Sequence, residues 1–328
     1  MEVFNMRKVL SLMLCVAMLL SCVAFASAEE TVKTGLSVIV NLTSSKNATA
    51  EANGVAHSNI QLIAVTVDAN GVIDDCVIDY IQAKINFNAA GEIVTEKGTV
   101  FASKIELDDA YGMRKASPIG AEWDEQANAF AAYCVGKTAE QLQGIALNEQ
   151  GQAVDVIASC TLTADEFLPG VLDAIAKAEH RGAKAGDVLK LAQYSTASNS
   201  KDATETADGQ TQVYTHVGMF TLNGDVITSA YIDAVQATVK FNAQGKITTD
   251  LTAAVLTKNE LKEGYGMKNI SPIGKEWYEQ AAGFCAFITG KTLNEAIAIA
   301  VNPGETDVVS SCTIGTDGFL QLIVKAGL

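Results

Sequence analysis

The chain reads as an α+β protein of two tandem domains, each an antiparallel sheet meander with helices packed against it. Three observations predict this. Residues from about Asn59 to Leu172 recur from about Val213 to Val324. Each copy then opens with alternating apolar runs broken by turn residues, and closes with longer stretches that carry helix caps and helical apolar spacing. A repeat of roughly 150 residues is too long for a solenoid unit and has the size of an independent domain. The composition, 48% hydrophobic and 19% charged, is that of a folded protein.

At the N-terminus, Arg7 and Lys8 precede the apolar run Val9 to Phe25, which ends in Ala26-Ser27-Ala28 before Glu29-Glu30. That is the pattern of a secretory signal with a small-x-small cleavage site. The run is at the short end of the roughly 17–25 residues a spanning helix needs. Leu19-Leu20-Ser21-Cys22 loosely matches a lipobox, so a lipid anchor at Cys22 stands as the alternative to free secretion. The expected organisation is a signal peptide over 1–28, a first domain over 29–182 and a second over 183–328, in a protein located outside the cytoplasm.

Each domain opens with a polar, weakly patterned stretch, Lys33 to His57 and Lys184 to Gln212. Ser45-Lys46-Asn47-Ala48-Thr49 returns as Ser200-Lys201-Asp202-Ala203-Thr204, which makes the stretch part of the repeat and puts the boundary near Arg181-Gly182. Strands are expected over Ile60 to Val67, Val72 to Ile81 and Lys84 to Asn88, and again over Val213 to Leu222, Val226 to Ile232 and Thr238 to Asn242. Asn70-Gly71 and Asn223-Gly224 mark hairpins, because both residue types tolerate the positive φ of a type I′ turn.

Ser117-Pro118 and Ser271-Pro272 are expected to start helices, with Ser as cap and Pro in the first turn, ending at Gly136 and Gly290. Thr138-x-x-Gln141 and Thr292-x-x-Glu295 are capping boxes for a second, short helix. Gly136-Lys137-Thr138 and Gly290-Lys291-Thr292 look like the end of a phosphate-binding P-loop, but the earlier glycine is missing, so they read as helix stop and cap. A last helix follows the Ser-Cys-Thr segment and carries Phe167, Leu168 and Leu172, or Phe319, Leu320 and Ile323.

The repeat also prunes the chemistry. His57, His180 and His216 have no counterpart in the other copy, which argues against a triad hydrolase or a His-ligated metal site common to both. Cys76, Cys134, Cys160, Cys285 and Cys312 follow the signal; only Cys160 and Cys312 are equivalent, so no repeated disulfide framework is expected and the thiols read as core fillers. A net charge of −15 disfavours nucleic acid and anionic membrane surfaces as partners. Glu122 with Glu125, and Glu276 with Glu279, read as a solvated helix face, with acid–base chemistry as the alternative.

The best repeated motif is Asp155-Val156-Ile157-Ala158-Ser159-Cys160-Thr161, matched by Asp307-Val308-Val309-Ser310-Ser311-Cys312-Thr313. Small hydroxyl residues directly ahead of a helix suit either simple capping or a phosphate at the helix N-terminus. The second copy resembles the Asp-x-x-Ser/Thr-Gly-Ala-Thr/Ser signature of the FMN-binding domain family of secreted and membrane-attached electron-transfer proteins. The resemblance implies a small α+β domain whose last Thr, Thr313 or Thr161, carries FMN as a phosphoester installed by a separate flavin transferase acting at the motif that begins with Asp307 or Asp155. In this chain the family Gly is Ser159 or Ser311, the family Ala is Cys160 or Cys312, and Ala158 replaces a hydroxyl that Ser310 retains.

On that resemblance, Tyr111-Gly112-Met113 and Tyr265-Gly266-Met267 would line the isoalloxazine, and Arg114, Lys115 or Lys268 would add charge near the phosphate. The implied protein is an electron carrier with a redox partner. The alternative is a cofactor-free extracellular binding or scaffold protein built from the same duplicated domain.

Overall fold

The computed structural model describes residues 30–154, 156–299 and 309–328. The signal segment and Asp155 and Asp307 of the motif lie outside the described residues. The α+β class is as expected, with two antiparallel sheets and helices on their outer faces.

The first sheet has the order β1 (Lys33–Asn41), β2 (Gly54–Val67), β3 (Ile73–Phe87). The second has β4 (Val100–Phe101), β5 (Val188–Thr196), β6 (Gly209–Asn223), β7 (Val226–Phe241). Three expectations are corrected here. The opening stretches, expected to be polar and weakly patterned, hold full strands, β1 and β5. The third strands run without the expected breaks at 82–83 and 233–237, because β2 and β6 pair with them along their whole length. Among the turn residues only Gly71 and Gly224 take positive φ, so neither hairpin is type I′; Gly224-Asp225 has the type II′ pattern instead.

The two sheets pack face to face. Ile60, Leu62, Ile81, Ile85 and Phe87 of the first share one core with Val213, Val217, Val235, Val239 and Phe241 of the second. At its centre Phe87 and Phe241 stack with ring centroids 4.2 Å apart and planes 8° from parallel. Alternate residues of the same strands, such as Ile63 and Val65, face outward onto helices. Strands covered on both faces need apolar residues at nearly every position, which explains the stretch Ile60 to Val67, interrupted only by the buried Gln61 and Thr66.

The repeats are tied by reciprocal contacts. Ala48 N–H donates to Gly245 O at 2.9 Å, and Ala203 N–H donates to Gly91 O at 2.7 Å. Ile247 N–H reaches Asn47 Oδ1 and Ile93 N–H reaches Asp202 Oδ1, both at 2.8 Å. This is why Ser45–Thr49 recurs as Ser200–Thr204: each copy of the segment docks on the other repeat's third turn. Gly91 and Gly245 have positive φ, and a Cβ on either would come within 2.8 Å or 2.6 Å of the docked alanine Cβ. The short strand β4 also crosses over, leaving repeat one to pair with β5 of repeat two.

Outside the first sheet lie α1 (Lys104–Leu107), α2 (Trp123–Cys134), α3 (Ala139–Gln143) and α4 (Ala164–Ala176). Outside the second lie α5 (Lys258–Leu261), α6 (Trp277–Ile288), α7 (Leu293–Ile297) and α8 (Asp317–Ala326). The capping boxes at Thr138 and Thr292 and the αL glycines Gly136 and Gly290 are as expected. Ser117-Pro118 and Ser271-Pro272 do not start helices. They form turns closed by Gly120 and Gly274, and the helices begin at Trp123 and Trp277 with Glu122 and Glu276 as N-caps.

Candidate functional site

Glu122 and Glu276 are not on a solvated face; they are 1% and 3% exposed. Gly112 and Gly266, both at φ +79°, turn the chain so that two successive N–H groups converge on each carboxylate. Met113 N–H and Arg114 N–H donate to Glu122 at 2.6 and 2.8 Å, and Met267 N–H and Lys268 N–H donate to Glu276 at 2.8 and 3.0 Å. Converging backbone N–H groups make an anion site. Here the anion is the protein's own side chain.

The tyrosines of the same loops enclose a cation. Lys104 Nζ lies 4.5, 4.6 and 4.8 Å from the ring centres of Tyr80, Tyr111 and Trp123. Lys258 Nζ lies 4.6, 4.4 and 4.9 Å from Tyr214, Tyr265 and Trp277, and donates to Tyr214 Oη at 2.6 Å. Three ring faces around one ammonium form an aromatic cage, and the lysine fills it. The lysines are 7% and 4% exposed, and burial lowers both to about 8, against the opposing pull of Glu166 and Asp79 in repeat one and Asp233 in repeat two. Asp79 and Asp233 are raised to about 6 by burial, although hydroxyl donors Ser103 and Thr257 and backbone N–H groups hold their charged forms.

The motif threonines belong to a third buried device. Gln126 Oε1 accepts from Thr161 N–H at 2.8 Å and from its hydroxyl at 2.9 Å; Gln280 Oε1 accepts from Thr313 at 2.8 and 3.1 Å. Each glutamine spends its own N–H groups on Ser117 and Ala121 O, or on Ser271 and Lys275 O. The structure thereby joins the Ser-Pro-Ile-Gly turn, the helix start and Thr161 or Thr313, with Cys160 and Cys312 buried beside them.

A phosphoester at Thr161 or Thr313 needs a hydroxyl that can reach a phosphoryl donor. Both hydroxyls are committed to glutamine, and Thr313 is 8% exposed. The helices they were expected to cap begin further on, after Thr163 and Thr316. Arg114 is held by Asp109 and Glu125, both at 2.8 Å. The faces of Tyr111 and Tyr265 are covered by lysine. Ser159 and Ser310 are exposed, and Ser311 packs on Gly283 of α6. As folded, these residues do not fit a covalently attached FMN.

Sequence reasoning missed Lys104, Lys258, Asp79, Asp233, Gln126 and Gln280. Their signal was present: Ser103-Lys104-x-Glu106-Leu107 recurs as Thr257-Lys258-x-Glu260-Leu261, and Gln follows Trp at the same spacing in both copies.

One large cavity opens between the repeats, with a volume of about 640 Å³. Leu36 and Val38 of β1, Lys177 at the end of α4, and Glu179 and Arg181 line one side. Tyr231 and Asp233 of β7, Asn259 and Glu260 of α5, Lys262, and the Tyr278, Ala282, Cys285, Ala286 face of α6 line the other. Lys177 bonds Glu260 across the cleft at 2.7 Å, and Arg181 lies over the Tyr231 ring at 4.3 Å.

Comparison with known proteins returns no matching family model, no matching curated protein and no matching solved structure.

Proposed function

We propose that the chain is a cofactor-free binding protein that acts outside the cytoplasm, its two repeats forming one rigid frame. The observation that carries this reading is the commitment of the Thr161 and Thr313 hydroxyls to Gln126 and Gln280 in both repeats. The filled anion site and filled lysine cage support it, since these devices hold the loops that a flavin would have to enter. The export signal supplies the location.

The test is the protein isolated from cells that also make a flavin transferase. The expected product is colourless, shows an unmodified mass on the Thr161 and Thr313 peptides, and leaves the fluorescence of added FMN unchanged. A flavin spectrum that survives denaturation, with FMN mass on either threonine, would overturn the reading in favour of an FMN electron carrier with a redox partner.

A further inference from the structure

We infer that the cleft between the repeats is the binding site and that it takes one small, uncharged aromatic molecule with an N–H or O–H edge. The inference rests on the binding-protein reading and adds its site and ligand class. A cavity of about 640 Å³ is within the roughly 300–1,000 Å³ of small-molecule sites. Its shape follows from small residues. Ala282 and Ala286 recur at helical spacing on α6, facing Leu36 and Val38 of the other repeat, so an apolar slot remains where larger side chains would close it.

The lining selects against charge. Lys177, Arg181 and Lys262 stand against Glu179, Glu260 and Asp233, and two of the pairs are already made: Lys177 with Glu260 at 2.7 Å and Arg181 with Glu179 at 2.9 Å. A ligand charge away from Lys262, the lining cation that makes no ion pair among the described residues, would have to break such a pair or remain unpaired against an apolar wall, and both cost affinity. A neutral ring pays neither cost and packs on Tyr278 and the edge of Tyr231, whose face Arg181 covers. The polar edge comes from the Tyr231 hydroxyl, which lines the cavity and can accept from a ligand donor; Asn259 beside it donates its amide to Ile232 O at 3.0 Å and has its carbonyl buried.

The site is single. Repeat one has Val77, Ile105 and Asp124 where repeat two has Tyr231, Asn259 and Tyr278. The shared frame residues recur; these do not. They form the part of repeat two that the common fold does not require.

Two probes with one aromatic frame test this: N-phenyl-1-naphthylamine, which is neutral and carries an N–H, and 8-anilinonaphthalene-1-sulfonate, which adds a negative charge. The neutral probe is expected to gain fluorescence saturably, at one molecule per chain, with the sulfonate about tenfold weaker. Ala286→Trp fills the slot and should abolish the gain. Tyr231→Val and Asn259→Ile, which install the residues of repeat one, should each weaken binding about fivefold, with melting curves like that of the wild type; they keep the test decisive if the Trp variant misfolds. No gain, a gain indifferent to the three substitutions, or equal binding of both probes would overturn the proposal. On a colourless protein, such a failure removes the cleft and leaves the cofactor-free reading standing; bound flavin removes that reading whatever the probes do.

Discussion

Repeat one and repeat two build the same lysine cage from different strands. In repeat one the wall is Tyr80 on β3; repeat two has Ala234 there and takes its ring from Tyr214 on β6, where repeat one has Asn59. The pairs Gln61 with Tyr80 and Tyr214 with Gln236 are successive same-face rungs of equivalent ladders, so either tyrosine can reach the ammonium. The position changed and the ring face over Nζ stayed. A buried ammonium without partners costs several kcal/mol, which explains why the cage persists. Around the cleft the opposite holds: equivalent positions differ in size, charge and hydrogen bonding. The frame is what the repeats share, and the candidate for function is what they do not.

The largest expected effect tests whether the two repeats are one body. Phe241→Ala or Phe87→Ala should cost about 3–5 kcal/mol, and calorimetry should show both repeats melting in a single transition; two separated transitions would break the shared-core comparison. Next come the loop anchors. Glu122→Ala and Glu276→Ala each strand two buried N–H groups and should cost about 2–4 kcal/mol, with faster amide exchange at Met113 and Arg114 or at Met267 and Lys268. A marked inequality between the repeats would show that only one loop is held this way.

The pH dependence is smaller and differs in sign between groups. Asp79 and Asp233 are raised from 3.8 to about 6 chiefly by burial, so the folded state holds their protons more tightly; their contribution grows as pH falls through 6 and is lost as pH rises through it. His216, lowered from 6.5 to about 4 by burial and then by Lys258, runs the other way, and its contribution is lost as pH falls below 6.5. Repeat one has Gln61 in that place. His216→Gln should therefore gain about 1–2 kcal/mol more than wild type between pH 7 and pH 5, measured by urea unfolding at each pH. The smallest effect belongs to Lys104→Met and Lys258→Met. Replacing a desolvated charge by an apolar chain of similar length should leave stability within about 1 kcal/mol of wild type, whereas a loss of several would make the cage a dominant support of the loop.

Much of the frame was legible. The Thr138 and Thr292 boxes, the stops at Gly136 and Gly290 and the Asn-Gly hairpins rest on interactions within a few residues, and local chemistry predicts such features well. Ser117-Pro118 misled because Ser and Pro open turns as readily as helices; Glu122, with Glu125 behind it, made the stronger cap. Glu122 itself was misjudged because burial is a property of the loop folded over it, not of the residues beside it. Thr161 and Thr313 stood out in the sequence as repeated residues read as flavin carriers; their partners in the fold, Gln126 and Gln280, are 35 and 33 residues away.

What the amino-acid order determined by itself was the duplication, the α+β class, and the caps, stops and hairpins that divide each repeat. Those depend on contacts between near neighbours, whose geometry the backbone already restricts. Only the tertiary structure decided that the sheets share one core, that the carboxylate, lysine and threonine devices are filled from within, and that a cleft remains between the repeats. Apart from the carboxylates, whose donors lie eight or nine residues away, these bring together groups tens to hundreds of residues apart, as in the contact of Asn47 with Ile247, and no local pattern encodes which distant partner will reach a buried polar atom first.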